Sequence, residues 1–135
     1  MSNRRLIDTN LVVRYLVQDH EKHATVAGRL FDACDRGELT IVVLPAVLAE
    51  CVFVLESFYD RPRADIASAL TRLISSPGIE ISEATIHMDA LNRYRKTNAH
   101  FVDCLIAATA VAENTPVATF DQYFRKFGDV AIETT

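Results

Sequence analysis

The stretch TIVVLPAVLAECVFVLESFY, residues 40–59, predicts a buried strand that is followed directly by a helix. Its first five residues, TIVVL, are mostly β-branched and almost continuously apolar, which is typical of a parallel strand covered on both faces. Pro45 then suits the first turn of a helix, because proline lacks the amide hydrogen that has no partner there. A strand–helix unit of this kind indicates an α/β fold with parallel strands.

The same alternation of strands and helices is predicted on both sides of this unit. The other predicted strands are at 5–7, 79–81, 116–119 and 130–132, and the other predicted helices cover 9–19, 23–37, 62–76, 83–96 and 100–111. In the second helix we expect Val26, Leu30, Phe31 and Cys34 to face the core. The pattern predicts an α/β protein whose parallel sheet of four or five strands has helices on both faces. We find no repeat or linker and therefore expect a single domain over residues 1–135.

The composition argues against several classes of protein: strongly basic nucleic-acid binders, disulfide-rich or zinc proteins, and secreted or membrane proteins. A formal net charge of −4 disfavours nucleic-acid binding through bulk positive charge. A chain with this net charge can still carry a local basic rim. The three cysteines, Cys34, Cys51 and Cys104, have no CxxC spacing, so we expect them to pack in the core. No signal-peptide pattern and no apolar run near the roughly 18 residues of a membrane span is present. We therefore expect a cytoplasmic protein without membrane contact.

Acidic side chains follow three of the predicted strands. Asp8 comes directly after the first strand, Glu50 lies in the opening turns of the helix after the second, and Asp121 follows the fourth. Because the carboxyl ends of parallel strands share one edge, where open α/β sheets bind ligands, we expect these carboxylates to lie there. Asp103 joins them if the helix over 83–96 returns the chain to the same edge.

Asp103 interrupts the stretch HFVDCLIAATAV, residues 100–111, which is apolar nearly all the way round. Such a helix is predicted to be buried, and a bare buried carboxylate costs several kcal/mol. Acids gathered at one edge would repel each other, whereas a divalent cation reverses that penalty. Oxygen ligands without histidine or cysteine favour Mg²⁺ or Mn²⁺ over zinc. We therefore predict a site for such a cation, with the carboxylates of Asp8, Glu50, Asp103 and Asp121 as its ligands.

Each of these acids, taken alone, is also compatible with a cap or a dipole partner at the start of a helix. This alternative explains Glu50 and Asp103 less well, because both are embedded in apolar sequence. The histidines offer no competing metal site, since they lack ligand spacing such as HExxH. We expect them at surface or capping positions.

The ordered motifs resemble those of PIN-domain ribonucleases, and most closely those of the VapC toxins of type II toxin–antitoxin pairs. The matching pieces are IDTN at 7–10, the glutamate of PAVLAEC, the aspartate of HFVDCLIAATA, and TFDQYF at 119–124. Together they cover nearly the whole chain. On this resemblance Asp8, Glu50, Asp103 and Asp121 match the acidic quartet of the family, and Thr9, Asn10 and Thr119 match the polar residues that support it.

The resemblance implies a PIN fold and an endoribonuclease that hydrolyses RNA with a water activated by one or two Mg²⁺ or Mn²⁺ ions. It implies that the four acids are the catalytic residues. It also implies a cognate VapB-like antitoxin and a toxin homodimer. Phosphates of the RNA need positive charge beside the acids. The candidate RNA contacts are Arg14, Arg93, Arg95, Lys96, Arg125 and Lys126.

Other functions remain open from the sequence. A HAD-like phosphatase would have a second aspartate where this chain has Asn10, and a receiver-like domain would have paired acids after the first strand and a late lysine. Within the PIN family, the alternatives are a housekeeping RNA-processing nuclease without an antitoxin and a non-catalytic binding module.

Overall fold

The structure is a computed structural model that describes residues 3–133. The chain falls into two compact units, which divide between Ala84 and Thr85. The single domain expected over residues 1–135 stays a prediction.

The first unit contains a parallel sheet with the strand order β1-β2-β3. Its elements are β1 (Arg4–Leu6), α1 (Thr9–Val17), α2 (Glu21–Asp35), β2 (Thr40–Val42), α3 (Pro45–Ser57), α4 (Arg63–Ser75) and β3 (Ile79–Glu80). In the central strand, Ile41 pairs with Arg5 on one side and with Ile79 on the other. Pro45 occupies the start of α3 as predicted.

Helices α1 and α3 begin shortly after β1 and β2 and pack against each other. Since these two strands are parallel, the amino-terminal ends of both helices lie towards the carboxyl edge of the sheet. This edge is therefore where α1 and α3 can present side chains to a ligand.

The core of the first unit follows the predicted periodicity in most places. Helix α4 buries Ile66, Leu70, Leu73 and Ile74. Helix α2 buries Phe31 and Cys34 as predicted, but Val26 is 54% exposed and that prediction was wrong. The buried stripe of α2 instead continues through Ala24 and Ala27, whose small side chains allow a close approach to α1.

As far as residue 133, the second unit contains two α-helices, one 3₁₀ helix and two short strands. Its elements are α5 (Ala84–Lys96), α6 (Phe101–Ala112), β4 (Val117–Ala118), a 3₁₀ helix (Gln122–Phe127) and β5 (Ile132–Glu133). The strands β4 and β5 pair in parallel, with Val117 opposite Ile132. Parallel strands in sheets flanked by helices confirm the predicted α/β class.

Helix α6 differs from the prediction. It buries Phe101 and Cys104, whereas Val102 is 56% exposed and Ile106 is also exposed. The expectation of a helix buried all round was therefore wrong, because an apolar sequence does not state which of its faces is covered.

Among residues 3–133, no helix is long and apolar enough to cross a membrane.

Candidate active site

Asp8 is the N-cap of α1. Its backbone is extended, and its Oδ1 accepts a hydrogen bond of 3.0 Å from the Leu11 amide. Capping satisfies one of the amides that lack a partner in the first turn of a helix. Asp8 therefore stabilises the start of α1 while it stands, exposed, just beyond the end of β1.

Glu50 is linked to this cap through Thr9. The buried Thr9 hydroxyl donates a hydrogen bond to Glu50 Oε1, which joins the first residue of α1 to the second turn of α3. Glu50 itself is exposed. Burial raises the pKa of the neighbouring Cys51 thiol to about 12, and the negative charges of Glu50 and Asp8 contribute to this rise.

The carboxylates of Asp8 and Glu50 lie on either side of Thr9 in the fold. Among residues 3–133, no lysine or arginine forms an ion pair with either carboxylate. The structure therefore brings together two predicted site residues that are 42 positions apart. Asn10 follows in the first turn of α1 and is exposed.

Asp121 caps the 3₁₀ helix of the second unit. Its Oδ1 accepts a hydrogen bond of 2.9 Å from the Tyr123 amide, and its own amide donates to Thr119 Oγ1 at 2.9 Å. Asp103 lies in the first turn of α6 and is half-buried. The 3₁₀ helix packs against α6, and the Tyr123 hydroxyl accepts a hydrogen bond from the Asn98 amide just before α6.

The buried-charge argument for the site was wrong. Asp8, Glu50 and Asp121 are exposed and Asp103 is half-buried, so burial imposes no large penalty that a metal must offset. In the described part of the chain, no three His, Cys, Asp or Glu side chains form a group that could hold a metal ion. The site of four carboxylates stays a prediction.

A smaller donor set still suits Mg²⁺. Asp8 and Glu50 offer only carboxylate oxygens, which are hard ligands. Mg²⁺ keeps several waters and commonly takes only one or two protein carboxylates together with substrate phosphates. The donor chemistry of the first unit therefore fits a magnesium ion without a closed protein cage.

The predicted RNA contacts differ in how exposed they are. Arg14 is half-buried and bonds Asp19 at 2.9 Å, and Arg93 forms ion pairs with both Asp89 and Asp129. The exposed candidates lie in the last turns of α5 and of the 3₁₀ helix: Arg95, Lys96, Arg125 and Lys126. The exposed members of the predicted set thus lie at these two helix ends.

The remaining histidine and cysteine predictions had mixed outcomes. All three cysteines are buried, as expected. His20 caps α2 by accepting a hydrogen bond from the His23 amide, which confirms a capping position. His87 is buried, so its predicted surface or capping position was wrong.

The first unit is an α/β fold with two exposed carboxylates, Asp8 and Glu50, beyond the ends of β1 and β2. The sequence profile of the PIN domain matches residues 5–130, and the chain therefore belongs to the PIN domain family. PIN domains are usually metal-dependent nucleases, and membership of the family supports a hydrolase function for this chain. Neither a curated protein nor a solved structure gives a significant match. The phosphatase and receiver alternatives lose their support.

Proposed function

We propose that this chain is a Mg²⁺- or Mn²⁺-dependent endoribonuclease and the toxin of a VapBC-type pair. The observation that carries the nuclease proposal is the pair of Asp8 and Glu50, which Thr9 links beyond the ends of β1 and β2. Within the described range 3–133 neither carboxylate forms an ion pair, and a divalent cation would offset the repulsion between two acids at this edge.

The proposed ligands of one or two ions are Asp8, Glu50, Asp103 and Asp121. Thr9 orients Glu50 through its hydroxyl, and Thr119 orients Asp121 by accepting from its amide. Asn10 is proposed as a further polar support. When bound, the ion would supply a water of lowered pKa and positive charge beside the scissile phosphate.

Binding of RNA is proposed to depend on the basic helix ends. Arg95 and Lys96 end α5, and Arg125 and Lys126 end the 3₁₀ helix. Because the chain as a whole carries a net charge of −4, attraction to RNA must come from such local groups. RNA affinity should therefore fall with rising salt concentration.

The proposed protein partners are a VapB-like antitoxin and a second copy of the chain. Support comes from the exposed aromatic side chains Phe53 in α3 and Phe58 directly after it, which are 66% and 78% exposed. Large exposed apolar groups of this kind commonly mark interaction surfaces. They do not distinguish an antitoxin from a homodimer. A housekeeping PIN nuclease that lacks an antitoxin is the alternative.

Cleavage of RNA by the full-length chain tests the nuclease proposal. We expect activity with Mg²⁺ or Mn²⁺, its loss in EDTA, and its recovery on adding the metal back. Asp8→Asn and Glu50→Gln should lose activity, whereas Asp32→Asn, an exposed acid on α2, should retain it. Full activity in EDTA, or in both site variants, would contradict the proposal, and a well-folded but inactive chain would favour a binding module.

A further inference from the structure

Arg93 is the centre of a compact ionic cluster in the second unit. Its Nη1 and Nη2 donate to the two carboxylate oxygens of Asp129 at 2.8 and 2.5 Å, and its Nε donates to Asp89 at 3.1 Å. The guanidinium carbon lies 5.7 Å from the centre of the Phe127 ring. Only 12% of the Arg93 side chain is exposed. Two-point bonds of this kind fix the geometry as well as the charge.

Two contacts of Arg93, Phe127 and Asp129, lie at the far end of the segment that begins with Asp121. The 3₁₀ helix begins at the Asp121 cap and ends with Phe127, two residues before Asp129. Because a 3₁₀ helix has weak internal hydrogen bonds, external contacts decide where such a short element lies. Arg93 holds its far end to α5, while the Tyr123 hydroxyl, which accepts from the Asn98 amide, holds its near end.

We propose that Arg93 is a positioning residue, which together with Asp129 holds the 3₁₀ helix so that Asp121 is presented for catalysis. The proposal rests on the proposed function, because Asp121 is assigned there as a metal ligand. It replaces the RNA-contact role that the sequence suggested for Arg93. The guanidinium already donates three hydrogen bonds to carboxylates, and contact with a phosphate would have to break them.

Steady-state kinetics of the full-length chain separate positioning from RNA contact. Arg93→Lys keeps the positive charge but cannot bond both carboxylates in the same way. We expect kcat to fall roughly tenfold or more, as for other residues that support a metal ligand, while KM for RNA stays unchanged. Lys96→Met, which removes an exposed charge from the last turn of the same helix, should instead raise KM and weaken the salt dependence of binding.

Asp129→Asn gives the sharper contrast. If Arg93 positions Asp121, losing the charge of its partner lowers kcat as Arg93→Lys does, and the double variant is no worse than the single ones. If Arg93 binds RNA, removing the competing carboxylate releases the guanidinium and strengthens RNA binding. A lower KM in Asp129→Asn, or a raised KM with unchanged kcat in Arg93→Lys, would overturn the proposal.

An NMR measurement tests the positioning without relying on cleavage. The Tyr123 amide donates to Asp121 Oδ1, so its chemical shift and exchange rate report on the cap. Arg93→Lys should change both, while the amide of Leu70 in α4 stays as in the wild type and shows that the chain is folded. An unchanged Tyr123 signal would overturn the positioning role. Wild-type protein that cleaves no RNA would instead overturn the proposed function, and the Tyr123 signal would still decide whether Arg93 holds the cap.

Discussion

The hydroxyl of Thr9 donates a hydrogen bond to Glu50 Oε1 and so joins α1 to α3 beside the Asp8 cap. Thr9 is buried, whereas both carboxylates are exposed. A single buried hydroxyl therefore restricts how an exposed glutamate can turn. The positions of the two acids depend on the packing of α1 against α3 and on this one bond.

Replacing Thr9 should reduce catalysis more than stability. Thr9→Val removes the hydroxyl at nearly constant shape, and we expect kcat to fall about tenfold because Glu50 is no longer oriented. The free energy of unfolding should change by only about 1 kcal/mol, the net value of one hydrogen bond. Thr9→Ser, which keeps the donor, should stay close to wild type. Equal losses of activity in the valine and serine variants would contradict this role; single-turnover cleavage and urea denaturation give both quantities.

A second link between α1 and α3 should make stability depend on pH. Arg14 Nη1 and the Tyr59 hydroxyl each donate to Asp19 at 2.9 Å, and these hydrogen bonds, that of Arg14 foremost, hold the pKa of Asp19 below its ordinary value of 3.8. Tyr59 lies two residues beyond the end of α3. The cluster therefore joins the carboxyl-terminal parts of the two helices.

The direction of the pH effect follows from the lowered pKa of Asp19. A carboxyl whose pKa is lower in the folded state contributes stability above its unfolded pKa and loses it as pH falls through the folded value. We expect the free energy of unfolding, measured in urea between pH 7 and pH 2, to fall less steeply below about pH 4 in Asp19→Asn than in wild type. Asp35→Asn, which removes an exposed acid at the end of α2, should retain the wild-type slope. Coinciding profiles for wild type and Asp19→Asn would show that the cluster contributes nothing.

Asp103→Asn should abolish cleavage while changing stability little. Asp103 is half-buried in the first turn of α6, where the helix dipole favours a negative charge by about 0.3–1 kcal/mol. Removing that charge should therefore lower the free energy of unfolding of the metal-free chain by no more than about 1 kcal/mol. Thermal and urea denaturation in EDTA measure this change. A much larger loss would mean that Asp103 serves mainly to hold the fold.

The sequence was most informative where one periodicity decided the structure. Helix α4 lies within the predicted helix over 62–76, and the residues Ile66, Leu70, Leu73 and Ile74 of its apolar stripe are all buried. In α2 the choice between Val26 and the two alanines depended on how closely α1 approaches, which is a tertiary property. Helix α6 offered no polar face from which its covered side could be inferred.

The candidate site was predictable in its residue types and less so in its contacts. The position of Asp8 after a strand and before a helix indicates a cap as well as an edge residue, and both features are present. The bonds from Thr9 to Glu50 and from Arg93 to Asp129 join residues 41 and 36 positions apart. Such pairs depend on the packing of separate elements, which no local pattern contains. Arg93 therefore looked like the other basic residues at the end of α5.

Expression of this chain alone should arrest the growth of a bacterial host if it is a toxin. Co-expression of the product of a small neighbouring gene should relieve the arrest, because an antitoxin binds the toxin and blocks its site. The matched control is Asp8→Asn, which should be harmless at the same expression level. Harmless expression of folded, metal-loaded wild-type protein would favour a housekeeping PIN nuclease.

The ends of the cleaved RNA should identify the nucleophile. Attack by water leaves the 2′-hydroxyl out of the reaction and gives a 5′-phosphate and a 3′-hydroxyl. A ribonuclease that uses general base catalysis on the 2′-hydroxyl would leave a 2′,3′-cyclic phosphate, and it would usually employ histidine. Here His20 caps α2 and His87 is buried, whereas Asp8 and Glu50 stand exposed beyond their strands. We therefore expect 5′-phosphate ends in Mg²⁺, determined by end labelling, and no products in EDTA. Cyclic phosphate ends would contradict attack by water.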